Sequence, residues 1–403
     1  MTNTMKKATV RELENLKGKK VFLRCDLNVP QNDDGSIADE TRIVASLGTI
    51  RFLLDRGARV IAASHFGRPK NKDEFSLKVV FDRLVQLLEG YKLKFAPDCV
   101  GKEVEKMANN LKDGQLLLLE NLRWYKEETA NDADFAKKLS VLADYYVNDA
   151  FGAAHRAHAS THGITSYLPA VAGLLMEKEI KILGEAISNP RRPLTIVMGG
   201  KKVSDKIGVI NGLLPVANNI LVGGGMSYTF AKAHGGQIGN SLLDEGSLDY
   251  CRQLVKDAKA RGVNLVLPSD SVVADRFSPD AHTMITPTGE IPNGWEGLDI
   301  GPKTVEDFKK YIAKSGTVIW NGPVGVSEFD RFANGTREIA HAIVSSGAVS
   351  IIGGGDAAAA VNSLGLADKF THISTGGGAS LEFLEGKVLP GVEALLDRDV
   401  KIK

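Results

Sequence analysis

Short apolar runs rich in Val, Ile and Leu alternate with amphipathic helical patterns along almost the whole chain, and this alternation constrains the fold most. A strand, a covering helix and a further strand imply parallel sheets buried on both faces. In the first half the predicted strands are residues 21–25, 60–63, 116–119 and 145–147, with helical patterns at 41–54 and 77–88. The second half repeats the scheme at 194–198, 219–222, 263–267, 317–320, 349–352 and 371–374. No short-period repeat is present.

A helical stretch at 176–188 is charged on one face and is followed by Pro190 and Pro193, which cannot continue a helix. It reads as a link between two halves. The expected architecture is α/β: two Rossmann-like lobes, each a parallel β-sheet covered by helices, joined by a linking helix with a hinge. The expected bounds are 1–175 for the first lobe, 176–189 for the link, 190–385 for the second lobe, and 386–403 for a C-terminal segment packing back on the first.

Composition narrows the function class. At 403 residues with 43% apolar and 25% charged residues, the chain can bury a sizeable core and has no disordered signature. Its 50 Lys and Arg nearly cancel its 49 Asp and Glu, so wholesale binding of nucleic acid or a membrane surface is not expected, and any anion site must be a local cluster. Cys25, Cys99 and Cys251 leave one unpaired whatever bond is drawn, which fits a reducing compartment. The N-terminus runs into charged residues without an apolar leader, and no run of about 18 apolar residues occurs. A cytoplasmic protein is expected, and the balanced charge suits a monomer.

In open parallel sheets ligands bind beyond the carboxyl ends of the strands. In the first half those ends carry polar and cationic residues. Arg42, His65, Arg68, Arg123 and Arg156 all lie in or beside the predicted strand-end loops. A single loop arginine is usually a solvated charge, but five basic groups in one crevice suit a small substrate bearing phosphate and carboxylate, which guanidinium forks match in pairs. His155, His158 and His162 have helix-like spacing, yet no carboxylate or thiolate lies among them, so support of an anion pocket is the better reading than zinc.

The second half ends its strands in glycine: Gly199 and Gly200, Gly223 to Gly225, Gly353 to Gly355 and Gly376 to Gly378. Glycine between a strand and a helix lets backbone N–H groups approach a phosphate, and the helix start adds a favourable dipole. One such loop is an ordinary turn. Several in one sheet point to a nucleotide site. Asp356, directly after Gly355, is placed either to hold Mg²⁺ beside phosphates or to cap the helix. Lys202 and Lys206 are expected on one face of the helix opening after Gly200, where they could neutralise a phosphoryl group in transfer.

Residues 24–30, 64–70, 118–124, 147–160, 199–207, 320–328, 353–356 and 374–381 resemble, in order, the signature segments of the phosphoglycerate kinase family. The resemblance implies reversible transfer of a phosphoryl group from 1,3-bisphosphoglycerate to ADP, giving 3-phosphoglycerate and ATP, with Mg²⁺ accompanying the nucleotide. It implies that Asp26, Asn28, Arg42, His65, Arg68, Arg123 and Arg156 bind phosphoglycerate. It also implies that Gly200, Lys202, Lys206, Gly224, Asn321, Glu328, Gly353, Gly354, Gly355, Asp356, Ala357 and Thr375 serve the nucleotide, Glu328 at the ribose and Asp356 at the metal. Arg42, Lys202, Gly377 and Gly378 would face the group in flight. The chain departs from the family pattern at Gly48, Lys201, Ser327 and Ala357; these bear on nucleotide affinity and rigidity, and none removes a charged role.

Two enzyme rivals fail on context. Gly353, Gly355 and Ala358 fit a loose dinucleotide fingerprint, but no acidic residue follows about 20 positions on, and Gly-Lys-Ser/Thr occurs nowhere. A non-catalytic sensor of phosphorylated metabolites would not need Lys202 and Asp356 together.

Overall fold

The structure, a computed structural model, describes residues 6–400 and 402. Residues 1–5 of the N-terminal stretch read above lie outside it. The chain divides into two compact units, Met1–Lys181 with Val388–Lys403, and Ile182–Lys387.

The first unit holds a six-stranded sheet of β1 (Lys20–Arg24), β2 (Arg59–Ala63), β3 (Lys92–Phe95), β4 (Gln115–Leu118), β5 (Tyr145–Asn148) and β6 (Ala170–Ala172). Its order is β3-β4-β2-β1-β5-β6 and all its pairs are parallel. Both faces are covered, which is why β1 reads as an unbroken apolar run, Val21-Phe22-Leu23. On one face Val21 and Leu23 join Ile43, Leu47, Ile50 and Leu54 of the helix Thr41–Asp55 in one core. Each such aliphatic side chain contributes roughly 1.5–3 kcal/mol on burial. Sequence did not indicate β3 or β6. Both are edge strands, one alternating Lys with Leu and Phe, the other only Ala-Val-Ala.

The chain leaves β1 towards β2 and later returns to its other side at β5, so the strand order reverses around β1. Such a reversal opens the crevice in which α/β proteins bind ligands. Residues 388–400 belong to this unit: Leu396 N–H donates to Ala170 O at 2.9 Å and its carbonyl accepts from Ala8 N–H at 2.8 Å. Asn148 Nδ2 donates to Gly391 O at 3.0 Å.

The helix Leu174–Ser188 begins two residues before the expected position. The buried Asp149 carboxylate accounts for this, because its Oδ1 accepts the N–H groups of Leu175 and Met176 at 2.9 and 3.2 Å and so satisfies the first turn.

The second unit has a sheet of β7 (Leu194–Met198), β8 (Asn219–Val222), β10 (Asn264–Val266), β15 (Thr317–Asn321), β16 (Val349–Ile352) and β17 (His372–Ile373). Its order is β10-β8-β7-β15-β16-β17, parallel throughout, with the reversal at β7 and β15. Trp320 and Val318 pack with Ile339 and Ile343 on one core face. Between β10 and β15 the chain also forms an antiparallel sheet, β12 (Thr283–Pro287), β11 (Asp270–Ala274) and β14 (Glu296–Ile300). The short strands β9 (Gln237–Ile238) and β13 (Glu290–Ile291) pair beside it. None of these was read from the sequence. Among the described residues no helix is long and apolar enough to cross a membrane.

Candidate functional site

In the first unit the strand ends gather cations over a buried polar floor. Arg24, the last residue of β1, is fully buried. Its Nε donates to Ser160 Oγ at 2.7 Å and its Nη2 to His65 Nδ1 at 3.1 Å. Ser160 Oγ donates in turn to the buried Glu128 at 2.6 Å. Burial raises the Glu128 pKa, opposed first by the charge of Arg24. A guanidinium only donates, so the His65 Nδ1 is an acceptor and the ring proton sits on Nε2. Burial, then Arg24 and Arg123, hold the His65 pKa well below its usual value, so this ring is neutral. His158 is pushed down to about 4 by the same causes in the same order.

Above this floor Arg42 Nη1 lies 3.2 Å from Asp26 Oδ2 and donates to Asn28 O at 2.9 Å. Asn28 Oδ1 accepts Gly67 N–H at 2.8 Å, and Arg123 Nη1 donates to Gly67 O at 2.8 Å. Arg123 Nε is buried with no hydrogen-bond partner. Burial first, then Arg24, Arg156 and Arg68, push the Arg123 pKa down to about 10. Arg68 and Arg156 are exposed, yet close enough for their charges to be felt there. The seven residues expected at the phosphoglycerate site, Asp26, Asn28, Arg42, His65, Arg68, Arg123 and Arg156, thus share one crevice. Its excess of positive charge is compensated within the protein only in part, and an anion is its natural complement. His155, His158 and His162 fall in irregular backbone between two short 3₁₀ turns, not on one helix.

The second unit presents backbone where the first presents side chains. Gly354, with φ +100°, caps the helix Gly355–Ser363, and a Cβ at Gly355 would meet nothing within 4 Å. Gly377, with φ +52°, likewise stands in open space before the helix Gly378–Leu384. Asn321 Nδ2 donates to Gly353 O at 2.6 Å while its Oδ1 accepts from Lys206 Nζ, joining the ends of β15 and β16. The Lys206 pKa is lowered by burial, against the raising effect of Asp356 and Asp205. Asp356 itself is exposed in the first helical turn and makes no capping hydrogen bond. Glu328 is exposed, Thr375 half-buried and Ala357 buried.

The other glycine loops differ. Gly200 N–H donates to Pro323 O at 3.1 Å, and Gly224 N–H to Val324 O at 2.9 Å. A Cβ on Gly224 would lie 2.8 Å from Gly200 N and O, and one on Gly199 would lie 2.0 Å from Pro323 O. These glycines let three loops interlock. Lys202 and Lys206 do not share a helical face either: the helix starts at Ile207, and both lysines lie in the bend and turn before it. Asp244 holds this turn by accepting Ser204 N–H at 2.9 Å, which replaces the early helical turn that the i, i+4 spacing suggested. Lys202 is exposed and lies near Asp244, adding to the hydrogen bonds from Ser204 that lower the Asp244 pKa.

Sequence reasoning placed Arg24 and Asn121 at strand ends and Ser160 in a signature segment but gave none of them a role, and it missed Glu128. A charged residue closing the apolar run of β1 was the available signal for Arg24; the others are recognised only through their partners.

Comparison with known proteins decides the family. The sequence model described as phosphoglycerate kinase matches residues 10–387. The chain is 56% identical over 385 residues to cytosolic phosphoglycerate kinase of Triticum aestivum, covering 94% of this chain and 96% of that protein. It is 54% identical over 398 residues to phosphoglycerate kinase of Dictyoglomus turgidum, covering 98% and 100%. The solved phosphoglycerate kinase of Coxiella burnetii superposes with a TM-score of 0.88 at 40% identity, over 96% of this chain and 98% of that one.

The chain belongs to the phosphoglycerate kinase family.

It is therefore an enzyme, a phosphotransferase of glycolysis, and both the dinucleotide-dependent reading and the non-catalytic one are set aside. The two parallel six-stranded sheets covered by helices are the phosphoglycerate kinase fold.

Proposed function

We propose that the enzyme transfers the acyl phosphate of 1,3-bisphosphoglycerate to ADP, reversibly and without a covalent intermediate, with phosphoglycerate anchored on the first unit and nucleotide on the second. The observation that carries this reading is the crevice in which Arg42, Arg123 and Arg156 lie near two histidines held neutral, with Arg68 close to Arg123. Arg123 and Arg68 would bind phosphate and carboxylate oxygens, with His65 donating from Nε2. Arg42, steadied by Asp26 and Asn28 O, keeps its remaining N–H groups for charge that develops in transfer.

On the second unit Gly353 N–H is taken up by Trp320 O at 2.9 Å, but the open amides of Gly354 and Gly355 and the helix start after Gly377 suit phosphate oxygens, with Gly200 and Gly224 supporting them by loop packing. Asn321 and Lys206 brace that loop, Thr375 lies beside it, and Glu328 would take the ribose hydroxyls. Lys202 and Lys206 would neutralise the moving phosphoryl group.

Among the described residues no cluster of three or more His, Cys, Asp or Glu could hold a metal alone. The free Asp356 carboxylate therefore fits Mg²⁺ delivered as Mg-ADP or Mg-ATP, which takes one or two carboxylates and completes its shell with phosphates and water. Bound there, Mg²⁺ would supply charge neutralisation on the phosphates. The β-phosphate oxygen of ADP is already anionic and the leaving carboxylate is stable, so no general base is needed.

Reacting atoms must come within about 3–3.5 Å with water excluded, so substrates anchored on separate units require closure, with hinge bending at the ends of the helix Leu174–Ser188 as the economical route. Formation of ATP from 1,3-bisphosphoglycerate and ADP in a coupled assay tests the reaction; no ATP above the enzyme-free rate contradicts it. Small-angle scattering tests closure: the radius of gyration is expected to be smallest with both ligands bound, and equal radii in all four states of ligation would remove it.

A further inference from the structure

The segment following β4 does more than supply Arg123. Asn121 is fully buried, so it touches no solvent and no bound substrate. Its side-chain amide nevertheless makes four hydrogen bonds, its full ordinary capacity. Oδ1 accepts Phe66 N–H at 3.0 Å and Arg123 N–H at 3.0 Å. Nδ2 donates to Phe66 O at 2.7 Å and to Phe75 O at 3.0 Å. One amide thus ties the turn bearing Arg123 to both ends of the loop that begins at His65 and carries Arg68.

Within that loop Glu74 accepts Lys70 N–H at 2.8 Å and Asn71 Nδ2 at 2.9 Å, but the backbone around it is strained. Asp73 and Phe75 are non-glycine residues at φ +82° and +53°, a region that side chains disfavour. Gly67, at φ +57°, faces the Phe75 ring so closely that a Cβ would come within 2.5 Å of it. The neighbours of Asn121 reinforce the clamp: Glu120 Oε2 accepts Leu77 N–H at 3.2 Å, and Trp124 Nε1 donates to Glu74 O at 2.8 Å.

We propose that Asn121 is a positioning residue for the phosphoglycerate half, setting the spacing between Arg68 and Arg123 without touching the substrate. The proposal rests on the assignment of those arginines to phosphoglycerate. A buried asparagine that served stability alone would lower the melting temperature and leave both Michaelis constants unchanged. A positioning residue splits them. In Asn121→Ala two backbone carbonyls and two N–H groups lose their partner, so the loop relaxes and the two guanidinium groups lose their register. Asn121→Ser keeps an acceptor for Arg123 N–H and loses both cross-loop donations, which separates local capping from positioning.

The test is steady-state kinetics of the full-length enzyme with 3-phosphoglycerate and Mg-ATP, beside thermal unfolding and a double-mutant cycle with Arg68→Ala. Both Asn121 variants are expected to raise KM for 3-phosphoglycerate roughly tenfold or more, with KM for Mg-ATP changed by less than about twofold. In the cycle the two losses should be less than additive, because Arg68 without its register has little left to lose. Unchanged Michaelis constants with a lower melting temperature would overturn the proposal, as would full recovery in Asn121→Ser, which is also the variant to rely on if Asn121→Ala does not fold. Should Arg123→Ala and Arg68→Ala themselves leave KM for 3-phosphoglycerate at the wild-type value, the proposed phosphoglycerate site fails, and this inference with it.

Discussion

The two sheets end in opposite chemistry although they share one architecture. At the carboxyl ends of the first sheet stand guanidinium and imidazole groups, and beneath them lies a buried framework of Arg24, Ser160, Glu128 and Asn121. At the ends of the second stand glycines, with Asn321 as the main polar brace between two strands. The difference has a physical cause. Long cationic side chains have many rotamers and repel one another, so a site built from them needs buried partners to hold it open for an anion. A helix start offers fixed N–H groups and a dipole with no side chain to immobilise.

If that contrast is right, the largest effect comes from the charge that acts on the group in flight. Arg42→Ala should lower kcat by about 10²–10³, the usual loss for a transition-state donor. KM for nucleotide should hardly move in the same variant. Wild-type turnover would take Arg42 out of the mechanism.

A sharper comparison lies within the second sheet. Gly224→Ala forces a Cβ against the backbone of Gly200 and Pro323 at a positive φ, so it should destabilise the protein by roughly 1–3 kcal/mol. Gly355→Ala meets open space and should leave the melting temperature within about 2 °C of wild type while weakening nucleotide binding. Similar thermal losses in both variants would erase the distinction between packing glycines and open ones.

Smaller effects should appear in the pH dependence of stability, with opposite signs in the two units. His158 titrates at about 4 when folded, below the ordinary histidine value of about 6.5. The unfolded chain therefore binds more protons between those values, and the His158 contribution falls as pH drops through that window. Asp299 is raised to about 8, chiefly by burial, with bonds from Gly335 and Ile300 N–H opposing. The folded state binds the extra proton from about 3.8 up to 8, so its contribution falls as pH rises. Urea midpoints at pH 5 and 7 should show His158→Gln relatively better at pH 5 and Asp299→Asn relatively better at pH 7. The same slope in both variants would contradict the assigned states.

Much of this was legible in the sequence where one residue type carries one physical consequence. The apolar runs that became β1, β2, β4, β5 and the inner strands β7, β8, β15 and β16 of the second sheet are buried on both faces, so their pattern is strong. The Lys92–Phe95 and Ala170–Ala172 strands are short edges whose pairing depends on neighbours already in place. The cations at the strand ends could be read because strand ends are where open sheets bind ligands. Glu128 and Ser160 could not, since each gains meaning from a partner far along the chain. Gly224 and Gly355 look alike in sequence, and only tertiary packing separates a loop that interlocks from one that stays open. Lys202 and Lys206 were misplaced because their spacing fits a helix that the turn at Ser204 and Asp205 delays.

The central claim is that phosphoglycerate and nucleotide are anchored separately, by side chains on one unit and by backbone with Asp356 on the other. Calorimetric titration of Arg123→Ala and Asp356→Asn with 3-phosphoglycerate and with Mg-ADP, each ligand alone, tests it most directly. Arg123→Ala should weaken 3-phosphoglycerate roughly tenfold or more and leave Mg-ADP within about twofold, while Asp356→Asn should do the reverse. Loss of Mg-ADP binding in Arg123→Ala, with 3-phosphoglycerate weakened in Asp356→Asn, would contradict the account.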